Sequence, residues 1–146
     1  MAAGHRRGLV LLVVAGLLVF FGCGDLSRGE LSRGVESLSA LAAQGKLIAR
    51  GVAEDGTKST YARVMAKTLG GEAEHEAEKL ADAEPEEAVR AERQAAVQVA
   101  IEIAGLYSEI QTFPGDEHHG ATVQKQMGEA KDKADAIAER LTGEEQ

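Results

Sequence analysis

The sequence predicts an all-α protein, an antiparallel up-down-up-down four-helix bundle preceded by a helical leader. Three observations carry this. Aromatic residues make up only 3% of the 146 residues, with no tryptophan, whereas a sheet protein would draw on aromatic and β-branched residues in alternating runs. Alanine, Glu, Lys, Arg, Gln and Leu, the strongest helix formers, dominate the remainder. Four stretches place apolar residues at alternating steps of three and four, the period of one helix face.

The first helix is expected over about 26–53. Leu31, Val35, Leu38, Ala42, Ala49 and Val52 share a face, and Leu41 and Ile48 widen it. Gly34, Gly45 and Gly51 weaken this helix by up to about 1 kcal/mol each relative to alanine, a cost that close approach of a neighbouring helix offsets. Asp55-Gly56 reads as a turn. The second helix, about 58–82, offers Tyr61, Met65, Leu69, Ala73, Ala77 and Leu80 as its inner face. Gly70-Gly71 in its middle suggests a kink. Pro85 fits the first turn of a third helix over about 85–112, whose inner row is Val99, Ile103, Leu106, Ile110 and Phe113. Val97, Ile101 and Ala104 form an adjacent row, and exposed alanine and valine on this helix are a candidate contact surface, while Gln98, Glu102 and Glu109 fall on the opposite side, with Glu102 facing solvent. Phe113-Pro114-Gly115-Asp116 ends it. The fourth helix, about 117–141, has the cleanest period, with Val123, Met127, Ala130, Ala134, Ile137 and Leu141. The tail Glu144-Glu145-Gln146 should fray.

Ahead of this domain, Arg6 and Arg7 precede an apolar run from Gly8 to Gly22, followed at once by Cys23, the single cysteine. A cationic start, an apolar core and a small residue before a cut site are the parts of a secretory signal peptide. The run is about 15 residues, short of the roughly 20 needed to span a bilayer core as a helix. Phe20-Phe21-Gly22-Cys23 resembles the lipobox of bacterial lipoproteins, with Gly22 in the small position and Phe20 and Phe21 in place of the usual leucine and small residue. The resemblance covers about the first 25 residues and implies that 1–22 is a removable signal segment, with acyl chains, palmitate among them, carried on Cys23. It also implies a place in the bacterial cell envelope, on the periplasmic face of an outer membrane or at the cell surface, with Gly24 favouring onward sorting. An ordinary cleaved signal and an uncleaved anchor are the alternatives. Lipidation accounts for a lone cysteine that can form no internal disulfide, and two or more acyl chains hold a protein stably at a bilayer.

Residues 23–146 then form one domain. Arg6 and Arg7 leave with the signal segment, taking the formal charge from −8 to −10. So acidic a domain is unsuited to nucleic acid, which needs clustered Lys and Arg, and to a polybasic grip on anionic head groups. The partners expected are the membrane, through the lipid on Cys23, and a protein, a second copy of the chain included.

No catalytic site is expected. The serines at 27, 32, 37, 39, 59 and 108 lie in no strained Gly-x-Ser-x-Gly turn, and Gly70-Gly71 lacks the lysine and strand of a phosphate loop. No small-molecule substrate or cofactor is implied. The rival reading is a metal-binding or ferritin-like bundle. Glu72 and His75 have the i, i+3 carboxylate–histidine spacing of di-iron bundles, and Glu76, Asp116, His118 and His119 could assist. A ferritin-like site needs a second such pair, and Asp116 with His119 falls at a helix start. A solvated, charged face accounts for the same residues. Two helical envelope families fit poorly. The stress chaperones carry Leu-Thr-x-x-Gln, whereas Gln146 is one residue too far from Leu141-Thr142. The murein lipoprotein ends in lysine, and this chain ends in Gln146.

Overall fold

The computed structural model describes residues 25–143, of which 87% are helical, with no strand among them. The signal segment, Cys23 and the tail from Glu144 lie outside the described residues. Helix α1 spans Arg28–Ala53, α2 Ser59–Asp82, α3 Arg90–Thr112 and α4 Glu117–Gly143, with a 3-10 turn at Glu87–Val89 leading into α3. No helix of the described residues is long and apolar enough to cross a membrane.

Helix starts follow capping chemistry. Ser27 caps α1 in a reciprocal box with Glu30, each side chain taking the other's main-chain N–H, which satisfies two donors a helix start leaves open. The Ser-x-x-Glu spacing sets the first helical residue at Arg28, two residues later than the apolar period alone suggests. α1 ends in a Schellman turn: Gly56 N donates to Gly51 O at 2.9 Å and Asp55 N to Val52 O at 3.2 Å. Asp55 takes the left-handed conformation this turn requires, φ 51°.

The four helices pack as two close antiparallel pairs, α1 on α4 and α2 on α3, with α3–α4 and α1–α2 contacts closing the bundle. The α1 and α3 diagonal also touches, through Tyr107 and Leu41. Small residues permit the close pairing. A Cβ on Gly120 would lie 2.7 Å from the Ala53 nitrogen and 3.0 Å from the Ala49 oxygen, so α4 rests on the α1 backbone itself. Ala42, Ala49, Ala130 and Ala134 are wholly buried along the same seam. On the other pair, Ala62, Ala66, Ala73 and Ala77 of α2 and Ala96 and Ala100 of α3 are buried, and Gly70 lies against Tyr107. Gly34 and Gly45 likewise bring neighbours close, Glu76 over the first and Met127 with Tyr107 over the second. Burial of a Leu or Ile contributes about 2 kcal/mol, so an alanine-rich seam relies on proximity more than on area.

Four expectations need correction. Pro85 does not open α3: it lies in an extended segment paired with Leu26, and the helix begins at Arg90 after the 3-10 turn. Tyr61 is 58% exposed because the buried stripe of α2 runs one position over, through Ala62, Ala66, Leu69 and Ala73, and Phe113 is 42% exposed because it is the C-cap residue beyond α3, where it stacks on His119. Gly70-Gly71 does not interrupt α2, which runs unbroken from Ser59 to Asp82 with Tyr107 packed against Gly70.

Candidate functional site

The end of the bundle where the described chain begins is tied down on several sides. Leu26 N donates to Glu84 O at 2.6 Å, and Glu86 N donates to Leu26 O at 3.3 Å. The Leu26 side chain is buried with the core. The entering segment is thereby held against the α2–α3 connector one residue before α1 is capped. Two arginines complete this base by donating to carbonyls that helix ends leave open. Arg28 Nη1 reaches Leu141 O at 3.0 Å at the end of α4. Arg93 Nε reaches Leu80 O at 2.7 Å, and its Nη2 reaches Ala81 O, and Ala83 O at 3.2 Å. These contacts span long sequence separations, and no local pattern announces them. Glu30 beside them is held below its ordinary carboxyl value by the Ser27 main-chain N–H first and the Ser27 hydroxyl second.

The rival metal ligands do not come together. Glu72, Glu74, His75 and Glu78 are exposed on α2. Glu76 turns the other way: its side chain is 12% exposed, lies over Gly34 and pairs with Lys79 at 3.2 Å. Asp116, His118 and His119 sit at the opposite end of the rod, where α4 packs on Ala49–Ala53. With Gly34 and Gly120 as markers along α1, the groups are about 23 Å apart at 1.5 Å per residue. Asp116 caps α4, its Oδ1 accepting His119 N at 2.9 Å, and that main-chain donor above all lowers its carboxyl pKa. The His119 ring stacks on Phe113 with centroids 4.1 Å apart, and His118 meets it edge-on at 6.4 Å. His119 Nδ1 is 3.3 Å from Asp116 Oδ1 but is not aligned as a hydrogen bond. Among the described residues no group of three or more His, Cys, Asp or Glu is arranged to hold a metal ion.

Open grooves run between neighbouring helices. That between α2 and α3, 410 Å³, has Ala77, Ile101, Ala104 and Gly105 as its floor and Glu74 and Glu78 on its rim. Ile101 is 54% exposed there, and Val97 and Ala104 are half-buried, so the adjacent row expected on the third helix does reach the surface. Glu102 lies on the other side of α3 and faces Lys133 of α4 instead of open solvent, its two oxygens 2.8 and 2.7 Å from Nζ. The chain matches no protein-family model, no curated protein and no solved structure.

Proposed function

We propose that the protein is a lipid-anchored, acidic helical-bundle lipoprotein of the bacterial cell envelope that serves as a structural or protein-interaction module. The reading rests on the leader: Arg6-Arg7, the apolar run and Gly22-Cys23 fit a lipoprotein signal peptide. The pinning of Leu26 supports it. Cys23 lies three residues before Leu26, a reach of at most about 11 Å in extended chain. Acyl chains on Cys23 would keep the base of the bundle, with the α2–α3 connector and the end of α4, close to the bilayer. A protein tethered so tightly acts at the membrane surface and not at the end of a long stalk.

The mass of the membrane-extracted protein, measured beside a Cys23→Ala variant in a bacterial host, tests this. A mature start at Cys23 with added acyl mass, absent from the variant, is the expected result. An intact Met1 or Ala2 terminus with membrane retention of both forms would mean an uncleaved anchor helix and would overturn the reading.

A further inference from the structure

Helix α2 distributes its charge in a way that its own chain does not repay. Its first half carries Arg63 and Lys67 after Lys58 at the N-cap, with no acidic residue in the first turn. Its second half carries Glu72, Glu74, Glu76, Glu78 and Asp82, against Lys79 alone. The helix dipole favours the reverse order, acids at the start and bases at the end. Arg63 with Lys67, and Glu74 with Glu78, are also like-charged pairs four residues apart, which destabilise an isolated helix. None of these four side chains has an ion-pair partner among the described residues. By contrast Arg50, Arg90, Lys125, Lys131, Lys133 and Arg140 all have one.

The same residues form one outward row. Val64, Lys67, Gly71, Glu74 and Glu78 follow steps of three, four, three and four, and all are exposed. Val64 is 57% exposed between the cations Arg63 and Lys67. Gly71 sits at the centre of the row, and a Cβ built on it meets nothing within 4 Å. The charge pattern inverts about that glycine, positive before it and negative after.

We infer that the outer face of α2 binds α2 of a second copy of this chain, antiparallel, with Gly71 at the two-fold axis. A two-fold contact must be self-complementary, residue i meeting j while j meets i. Counting outward from Gly71, Lys67 of one copy, four residues before it, falls within one residue (about 1.5 Å of rise) of Glu74 of the other, three after it, and Val64 comes level with Glu78. Val64 of the second copy then reaches the α2–α3 groove beside Ile101, whose rim carboxylates Glu74 and Glu78 receive Lys67 and Arg63. The opposed dipoles and charges of both helices are relieved together. The pairing does not depend on the lipid. For two copies in one membrane it sets the two-fold axis along the membrane normal, so both rods lie along the bilayer.

The test is oxidative cross-linking of full-length chain carrying Gly71→Cys, in envelope and soluble fractions of the expressing cells. The open space at Gly71 means the substitution leaves the fold intact. Sulfurs at a two-fold axis fall within the short Cα separation a disulfide requires, so a dimer is expected that neither the unsubstituted chain nor Glu36→Cys, on the outer face of α1, gives. Adding Lys67→Glu turns two symmetry-related attractions into repulsions and should lower the dimer about tenfold. Adding Glu74→Lys to that variant should restore it. No dimer above the Glu36→Cys level, a dimer indifferent to Lys67→Glu, or cross-linking to a different protein instead would each overturn the inference.

Discussion

The hydroxyl of Tyr107 donates to the main-chain carbonyl of Leu41 at 2.6 Å, joining α3 to α1 across the diagonal of the bundle. The ring is wholly buried and fills the space that Gly45 and Gly70 leave open. One side chain thus sets the spacing of three helices. Tyr107→Phe keeps the ring and loses the bond, and should cost about 1 kcal/mol. Tyr107→Ala leaves a cavity and should cost about 3–5 kcal/mol. Thermal unfolding followed by circular dichroism separates the two. Burial, and secondarily the charge of Glu72, hold the phenol well above its ordinary value of 10.0. The neutral phenol is therefore favoured by folding, and its stabilising effect is complete below pH 10 and lost as the pH rises beyond it. Tyr107→Phe should show a flatter alkaline limb than the parent chain. Equal limbs would mean that the phenol ionises as easily folded as unfolded.

Gly120 and Gly105 are both glycines inside helices, yet they should respond to alanine with opposite signs. At Gly120 the new methyl would press on the α1 backbone at Ala53 and Ala49, which cannot turn aside as a side chain could. Overpacking of that kind costs about 1–3 kcal/mol. At Gly105 nothing lies within 4 Å, and the gain in helix propensity is worth about 0.5–1 kcal/mol. Denaturant midpoints of Gly120→Ala and Gly105→Ala should move to opposite sides of the parent.

The four helices were readable because each buries one face continuously. The row Val123, Met127, Ala130, Ala134, Ile137 and Leu141 is buried in full, as its period requires. Tyr61 lies one position off the buried row that begins at Ala62, and Phe113 leaves α3 as its C-cap residue, because packing sets the phase of the stripe and the end of the helix more finely than the apolar period does. Pro85 suits a helix start, and only the distant Leu26 explains its extended pairing. The base is built by Arg28 and Arg93 acting on carbonyls 113 and 10–13 residues away, and spacing along one helix says nothing of such contacts. Of the proposed anchor, the signal-peptide reading rests on residues 1–23 alone, which lie outside the described residues. The acidic and histidine residues offered as a metal rival are dispersed because Glu76 packs inward over Gly34 while Asp116 is taken up by a cap.

Acid should weaken the bundle through three carboxyls at interhelical or capping positions. Glu30 and Asp116 are lowered by the main-chain donors they cap. Asp135 is lowered by Lys131 and then by the Ser39 hydroxyl, which donates at 2.6 Å from α1. A lowered folded value means the unfolded chain takes up protons first. The contribution is complete above the ordinary values of 3.8 and 4.5 and is lost as the pH falls through the lowered ones. Asp116→Asn preserves an acceptor for His119 N–H but cannot titrate. Its stability should therefore fall less steeply than that of the parent between pH 5 and 3, taken as about the span of these groups. Parallel curves would remove Asp116 from the acid response.

Arg93 should govern how firmly the base of the bundle is closed. Its guanidinium reaches three carbonyls at the end of α2, where the chain must leave the helix and pair with Leu26 before entering α3. Arg93→Ala strands those acceptors, and loss of charge-assisted bonds of this kind costs about 2 kcal/mol. Part of that loss should be local, because the connector has few apolar contacts of its own beyond Pro85 and Val89. Arg93→Lys keeps the charge but cannot serve three carbonyls with one ammonium, so it should recover little. A glutamate-specific protease, which can cut after Glu86 and Glu87 but not at the Glu84-Pro85 bond, reads the opening directly. Cleavage in the connector should speed up in both variants, while sites within α1 and α4 change no more than overall stability dictates. Uniform acceleration across the chain would show instead that Arg93 supports the whole bundle and has no special hold on its base.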